Sequence, residues 1–254
     1  MKKTYNEGYR ITAEDTLEKF NNGLLKEMVE QSNKGTEYFE KYSDFGYKDI
    51  KVDDKFKLNV HVESTLQGIF RLTNEGKKNI VALNFASAKR PGGGFLKGTV
   101  AQEESLARTS SLYFSLRCCT EYYENPQAPY YSDKMIFSPN VVFIKDDAGN
   151  MLDTPVTASI ITVAAPNLRD AENVDHLKIR DIFVRRIYNV LKLAKDKGCE
   201  NVILGAFGCG VFMNDPRMVA KYFKWVIKQE FENSFESIVF SIYEKPIENV
   251  MAFK

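Results

Sequence analysis

From residue 57 onward, short apolar runs alternate with stretches of helical spacing for nearly 200 residues. Lys57-Leu58-Asn59-Val60-His61-Val62 alternates with period two, which suits a half-buried strand. Ser64 is placed to cap a helix carrying Leu66, Ile69, Phe70 and Leu72. Ile80–Phe85, Met135–Ile144, Ser159–Ala164, Val202–Leu204 and Ile238–Tyr243 read as further strands. Between them lie a helix near 103–117, an amphipathic helix over Ile179–Ala194 that ends near Gly198, and one opened by Asn214 or Asp215 with Pro216 in its first turn. Such alternation predicts an α/β fold, a sheet covered by helices on both faces. Ahead of it, Leu17, Phe20, Leu24, Leu25 and Met28 predict one helix over 13–32, with Thr12 or Thr16 near its start, and 33–56 reads as irregular. The expected organisation is an N-terminal helical extension, 1–56, packed on a catalytic body, 57–254.

Composition closes off several classes. With 35 Lys+Arg against 34 Asp+Glu the net charge is +1, unlike a protein built to coat nucleic acid. No apolar run approaches a membrane span, and the charged start of the chain lacks the apolar run of a signal peptide. Cys118, Cys119, Cys199 and Cys209 are too few for a disulfide scaffold at 254 residues, so a reducing cytoplasmic compartment is expected. His61 and His176 are the only histidines and no zinc motif is present, so no zinc site is expected.

In open α/β sheets the ligand sits outside the carboxyl ends of the strands. Two glycine-rich loops emerge there, Pro91–Gly98 and Gly205–Asn214. Neither is a common nucleotide motif. Lys97 precedes Gly98 where a Walker loop needs lysine after glycine, and Met213 stands where a dinucleotide fingerprint needs its third glycine. Their physics is still informative. Gly92-Gly93-Gly94 removes every Cβ from one surface, permits positive φ and offers successive N–H groups to an anion. Gly208-Cys209-Gly210-Val211-Phe212-Met213-Asn214 runs into a helix N-terminus, which suits a phosphate. Seven residues beyond Gly94 stand Gln102, Glu103 and Glu104. Acids at a helix start often serve only the helix dipole, but beside a ligand-wrapping loop one of them can act as general acid on a glycosidic oxygen. Adjacent helical residues point apart, so one carboxyl would move the proton and the other position a sugar hydroxyl. Burial must then outweigh the helix dipole to keep the acid protonated.

The string Asn84-Phe85-Ala86-Ser87-Ala88-Lys89-Arg90-Pro91-Gly92-Gly93-Gly94, seven residues, then Gln102-Glu103-Glu104-Ser105-Leu106-Ala107-Arg108 resembles the signature of the bacterial, or microbial-type, poly(ADP-ribose) glycohydrolases of the macrodomain superfamily. Leu204-Gly205-Ala206-Phe207-Gly208-Cys209-Gly210-Val211-Phe212-Met213-Asn214-Asp215-Pro216 resembles that family's diphosphate loop, with Phe207 where tryptophan is common. Phe137-Ser138-Pro139-Asn140 and Ala164-Ala165-Pro166-Asn167 are similar to further family stretches, and the resemblance spans about residues 55–245. It implies a three-layer α/β/α macrodomain with a mixed sheet. It also implies that Glu104 is the catalytic acid, that Glu103 orients ribose hydroxyls, and that Gly92, Gly93, Gly94 and Gln102 border the distal ribose. Gly208, Cys209, Gly210, Val211 and Asn214 would cradle the diphosphate, with the Phe212 ring against that ribose. Asn84 is either a ribose contact or a strand-end amide. No cofactor and no metal is implied.

Other residues carry weaker readings. Cys209 between two glycines lacks a histidine partner, so a nucleophilic role is not expected. Tyr122, Tyr123, Tyr130 and Tyr131 suit a packed loop, with adenine stacking or a lid as alternatives. The resemblance implies a glycosidase releasing ADP-ribose from poly(ADP-ribose), from chain ends. Two alternatives stay open: a non-catalytic reader of ADP-ribose, and a hydrolase of mono-ADP-ribosylated or other NAD-derived substrates. Expected partners are ADP-ribose or its polymer, with no membrane, no sequence-specific nucleic acid and a monomeric state.

Overall fold

The computed structural model describes residues 5–43, 45–46 and 56–254. Among these residues seven strands form one mixed sheet: β1 (Glu37–Phe39), β2 (Asn59–Val62), β3 (Ile80–Phe85), β4 (Met135–Lys145), β5 (Met151–Val163), β6 (Asn201–Leu204) and β7 (Ser237–Ile242). They lie in the order β1-β4-β5-β3-β6-β7-β2. β5, β3, β6, β7 and β2 run parallel, and β4 is antiparallel to both β5 and β1. The period-two pattern separates the layers. Val81, Leu83, Val202 and Leu204 face a core built with α6 (His176–Asp196), α7 (Pro216–Glu230) and α8 (Ile247–Phe253). Ile80, Ala82 and Ile203 face α3 (Thr65–Asn74), α4 (Gln102–Thr109) and α5 (Leu112–Arg117). The fold is the three-layer α/β/α macrodomain arrangement.

Local signals act as expected at several ends. Ser64 caps α3 in a full capping box with Gln67. Asp215, not Asn214, caps α7, accepting from the Arg217 N–H with Pro216 in the first turn. Gly198 follows α6 with φ +70°.

Two predicted helices are each divided. The segment 13–32 forms α1 (Glu7–Asn21) and α2 (Lys26–Lys34). Gly23 (φ 90°) and Leu25 (φ 51°) break it, although the apolar spacing continues through Leu24 and Leu25. Asn6 caps α1 by accepting from the Tyr9 N–H; Thr12 and Thr16 lie inside the helix, and Thr16 donates to the Arg108 carbonyl. The segment 103–117 forms α4 and α5 because Ser110 turns extended and Ser111 bonds Val142 of β4 through both its N–H and its hydroxyl. The 33–56 stretch contains β1 on the sheet edge; residues 44 and 47–55 lie outside the described residues. α1 sits behind the first glycine loop, where Ala13 and Leu17 pack with Phe95 and Ala107. The Asn6 N–H donates to the Gly98 carbonyl at 2.8 Å.

Candidate active site

The loops after β3 and β6 emerge from adjacent parallel strands, so both open at the same end of the sheet. The first wraps two carboxylates. Glu103 and Glu104 occupy the first turn of α4, yet only 3% and 8% of their surfaces are exposed. The Gly94 N–H donates to Glu104 Oε1 at 2.9 Å, and the Ser87 N–H donates to Glu103 Oε2 at 2.7 Å. Gly92 and Gly93 hold φ of 67° and 60°. A Cβ on Gly93 would stand 2.5 Å from Glu104 Oε1 and 2.9 Å from Glu103 Oε2.

These contacts correct one expectation. The amides of the triple glycine are not free for an anion: Gly94 serves Glu104, Gly93 donates to the Arg90 carbonyl at 3.0 Å, and Gly92 turns to Glu103. The bare surface is filled first by the carboxyl groups, which the missing side chains let approach.

Burial drives the Glu103 carboxyl well above the ordinary range, and the charge of Glu104 adds to that rise; the Ser87 N–H pulls the other way. Around it lie buried polar atoms without partners. Asn84, fully buried, donates through Nδ2 to Thr162 Oγ1 at 3.2 Å, its register partner on β5, while its Oδ1 bonds nothing. Glu103 Oε1 and the Tyr123 hydroxyl also lack a partner, while the Tyr122 hydroxyl turns to the Ala164 backbone. Burial, then the Glu103 charge, pushes both phenols upward, which places that carboxyl near them. Buried polar atoms left unpaired are costly, so this cluster is suited to receive hydroxyl groups.

Gln102 departs from its expected role. Its Oε1 accepts from the Phe85 N–H at 2.9 Å, and its Nε2 donates to the Leu83 carbonyl at 2.8 Å and to Thr65 Oγ1 at 3.1 Å. These bonds fasten α4 to the end of β3.

The second loop divides in the same way. Among the described residues the N–H groups of Gly208, Gly210, Val211 and Phe212 make no hydrogen bond, whereas that of Cys209 donates to the Ala206 carbonyl at 3.0 Å. The Cys209 thiol lies 3.6 Å from the Phe207 carbonyl, and burial pushes its pKa upward, so it is not a reactive thiolate. Asn214 is a brace: its Nδ2 donates to the Pro166 carbonyl at 2.8 Å and the Gly208 carbonyl at 2.9 Å, and it is 4% exposed. Gly208, at φ 75°, is required there, since a Cβ would meet Ala165 at 2.5 Å. The loop is clamped to the chain after β5 by the Leu168 N–H on the Phe212 carbonyl (2.9 Å) and by Arg169 Nε on the Val211 carbonyl (3.1 Å). The Phe212 ring is half-buried, 6.1 Å from Tyr131.

Sequence reasoning thus located both loops and both carboxylates. It missed Thr162, Arg169 and the buried Arg108. The first two are brought in by strand register and loop packing, which local sequence does not encode. Arg108 carries a readable signal, standing four residues after Glu104 on the same helix.

Known proteins place this geometry. Residues 9–146 match the family model described as microbial-type PARG, catalytic domain. The chain resembles the crystal structure of poly(ADP-ribose) glycohydrolase from Thermomonospora curvata bound to the inhibitor ADP-HPD, with a TM-score of 0.88, 33% identity and 98% of each chain covered. It also resembles the Deinococcus radiodurans poly(ADP-ribose) glycohydrolase in complex with ADP-ribose, with a TM-score of 0.77, 33% identity, 89% of this chain and 95% of that one covered. A search of curated proteins by sequence gives no match. The family model spans more than half of the chain, and both structural relatives exceed 30% identity over most of their length: the chain belongs to the microbial-type poly(ADP-ribose) glycohydrolase family.

Proposed function

We propose that this protein is a poly(ADP-ribose) glycohydrolase that cleaves ribose–ribose O-glycosidic bonds from chain ends, with Glu104 as the acid that starts the reaction and the base that ends it. The observation that carries this reading is the pairing of two elements at one end of the sheet. One is a buried carboxyl held by the Gly94 N–H; the other is a loop with four unengaged amides on the neighbouring strand.

The amides of Gly208, Gly210, Val211 and Phe212 receive the diphosphate of the terminal ADP-ribose, where they meet negative charge without side-chain entropy to lose. The distal ribose then lies against the triple-glycine loop, with the Phe212 ring packed on it. Its hydroxyls reach the unpaired Asn84 Oδ1 and Glu103 Oε1, the acceptors that the fold leaves buried. The scissile oxygen faces Glu104. When Glu104 holds the proton of the buried carboxyl pair, it gives that proton to the oxygen as the carbon–oxygen bond breaks, and the bonding electrons leave with the oxygen as a hydroxyl on the shortened polymer. The sugar becomes oxocarbenium-like. Water adds to its anomeric carbon and returns a proton to Glu104, which restores the acid. Glu103 and Glu104 are sequence neighbours on one turn, so they do not flank the bond as the usual glycosidase pair does; Glu103 orients and Glu104 transfers.

The proton cycle closes on Glu104, so the reaction is read as metal-independent, and a chelator leaves its rate unchanged. Four free thiols, three of them buried, support a reducing cytoplasmic setting.

The test is to incubate the protein with poly(ADP-ribose) and, separately, with mono-ADP-ribosylated protein, and to quantify ADP-ribose by chromatography. Release from the polymer is expected. Release from the mono-modified protein alone would move the substrate assignment, and binding of ADP-ribose without release from either would make the protein a reader.

A further inference from the structure

One charged side chain near the site has no role in the reaction as described above. Arg108 is 4% exposed, and among the described residues no hydrogen bond reaches its Nε or Nη1. A buried guanidinium with unfilled donors is costly to keep. It stands four residues after Glu104 on α4, and side chains at that spacing share a helix face. Its backbone is fixed independently, since Thr16 of α1 donates to the Arg108 carbonyl at 2.6 Å. Its outer face is covered by the Tyr9 ring, 3.9 Å from the guanidinium carbon, a cation–π contact that seals it from solvent. The charged or titratable groups that act on it are Tyr9 on α1, Asp147 in the β4–β5 turn and Glu104 on its own helix. Asp147 is already engaged by the Ser105 hydroxyl at 3.0 Å and by the Ser64 hydroxyl.

We propose that Arg108 is a positioning residue for the reaction: a sealed positive charge, one helical turn behind Glu104, that sets the pH at which Glu104 parts with its proton. This rests on the reading of Glu104 as the acid. The guanidinium touches no substrate and acts only through that carboxyl. Tyr9 makes the charge effective by excluding water from it, which gives α1 a part in the chemistry although it lies behind the loop. The sign follows from Coulomb's law. A positive charge favours the Glu104 carboxylate over the acid, so removing it makes the carboxyl hold its proton to higher pH. For charges on the order of 8 Å apart at an effective dielectric of about 20, the proton affinity changes roughly thirtyfold.

The experiment measures kcat for ADP-ribose release from the polymer against pH for the full chain, Arg108→Met and Arg108→Lys, with thermal stability at neutral pH alongside. In Arg108→Met the alkaline limb of the profile should move up by about 1.5 pH units. In Arg108→Lys, which keeps the charge, it should stay where the unaltered chain has it. Melting of Arg108→Met should not fall, because the substitution replaces an unfilled buried charge with an apolar side chain of similar length. A packing role makes the opposite forecast, a lower melting temperature and a limb that does not move, and would overturn the proposal. So would equal displacement in the Lys and Met variants. If Arg108→Met does not fold, Arg108→Gln removes the charge while keeping donors, and the same displacement is required of it. Failure of the unaltered chain to release any ADP-ribose would instead sink the functional reading beneath.

Discussion

Replacing Gly93 by alanine tests how the glycine loop and the carboxylates depend on each other. The position has φ +60°, where an L side chain costs roughly 1–2 kcal/mol. The new Cβ would stand 2.5 Å from Glu104 Oε1 and 2.9 Å from Glu103 Oε2, and ordinary contact begins at 3.4 Å. The Glu104 carboxyl must therefore retreat by about 0.9 Å, or the loop must open, and either change breaks the 2.9 Å bond from the Gly94 N–H. Misplacing a catalytic group by about 1 Å costs on the order of a hundredfold in rate. The stability loss should be small, a fall in melting temperature of roughly 3–8 °C for a chain of this size. Gly76→Ala is the control. It has the same backbone liability, φ +77°, with nothing within 4 Å of its Cβ, so it should lose comparable stability and keep full activity. The assay is ADP-ribose release with calorimetric melting for both variants. Gly93→Ala retaining activity within threefold would refute the claim that this loop sets the carboxyl geometry.

Three further outcomes follow from single contacts. Glu103→Gln should gain stability while losing activity: a carboxyl held protonated by burial contributes stability that is complete below pH 4.5 and lost as pH rises through its raised value, so melting at pH 8 should exceed the unaltered chain's and the gain should vanish near pH 4. Asn214→Ala leaves the Pro166 carbonyl unpaired and the Gly208 carbonyl with only the residue-214 N–H, for about 1–3 kcal/mol of stability, and should weaken ADP-ribose binding measured by calorimetry. Gln102→Glu sets a carboxylate oxygen against the Leu83 carbonyl, 2.8 Å from the present Nε2, and should lower denaturant stability by about 2–3 kcal/mol.

Much of this was legible in the sequence because it depends on local rules. Short apolar runs, one of them alternating with period two, located six strands that the sheet contains, and Ser64, Asp215 and Gly198 mark helix ends through their own side chains or backbone freedom. Glu103 and Glu104 beside three glycines were visible as a unit. What stayed hidden depends on long-range partners. The apolar spacing through Leu24 and Leu25 masked the break that Gly23 imposes, and Ser110-Ser111 ended α4 only because β4 offers Val142 to it. Gln102, Cys209 and Asn214 were placed toward the ligand by their position in the loops. The Gln102 and Asn214 side chains bond Leu83 and Pro166, segments that reach them only in the folded sheet, and the Cys209 N–H turns back to Ala206 within its own loop. Charge pairing across elements, as between Tyr9 and Arg108, leaves no periodic trace at all.

The central claim is that Glu104 moves the proton while its neighbours hold the ligand. The direct measurement is single-turnover release of ADP-ribose from poly(ADP-ribose) by Glu104→Gln, together with its affinity for ADP-ribose by calorimetry. Glutamine keeps an acceptor for the Gly94 N–H, so affinity should stay within about threefold while the rate falls by about a thousandfold, the scale of a lost general acid. A Glu104→Gln protein that releases ADP-ribose within tenfold of the unaltered chain would contradict the assignment.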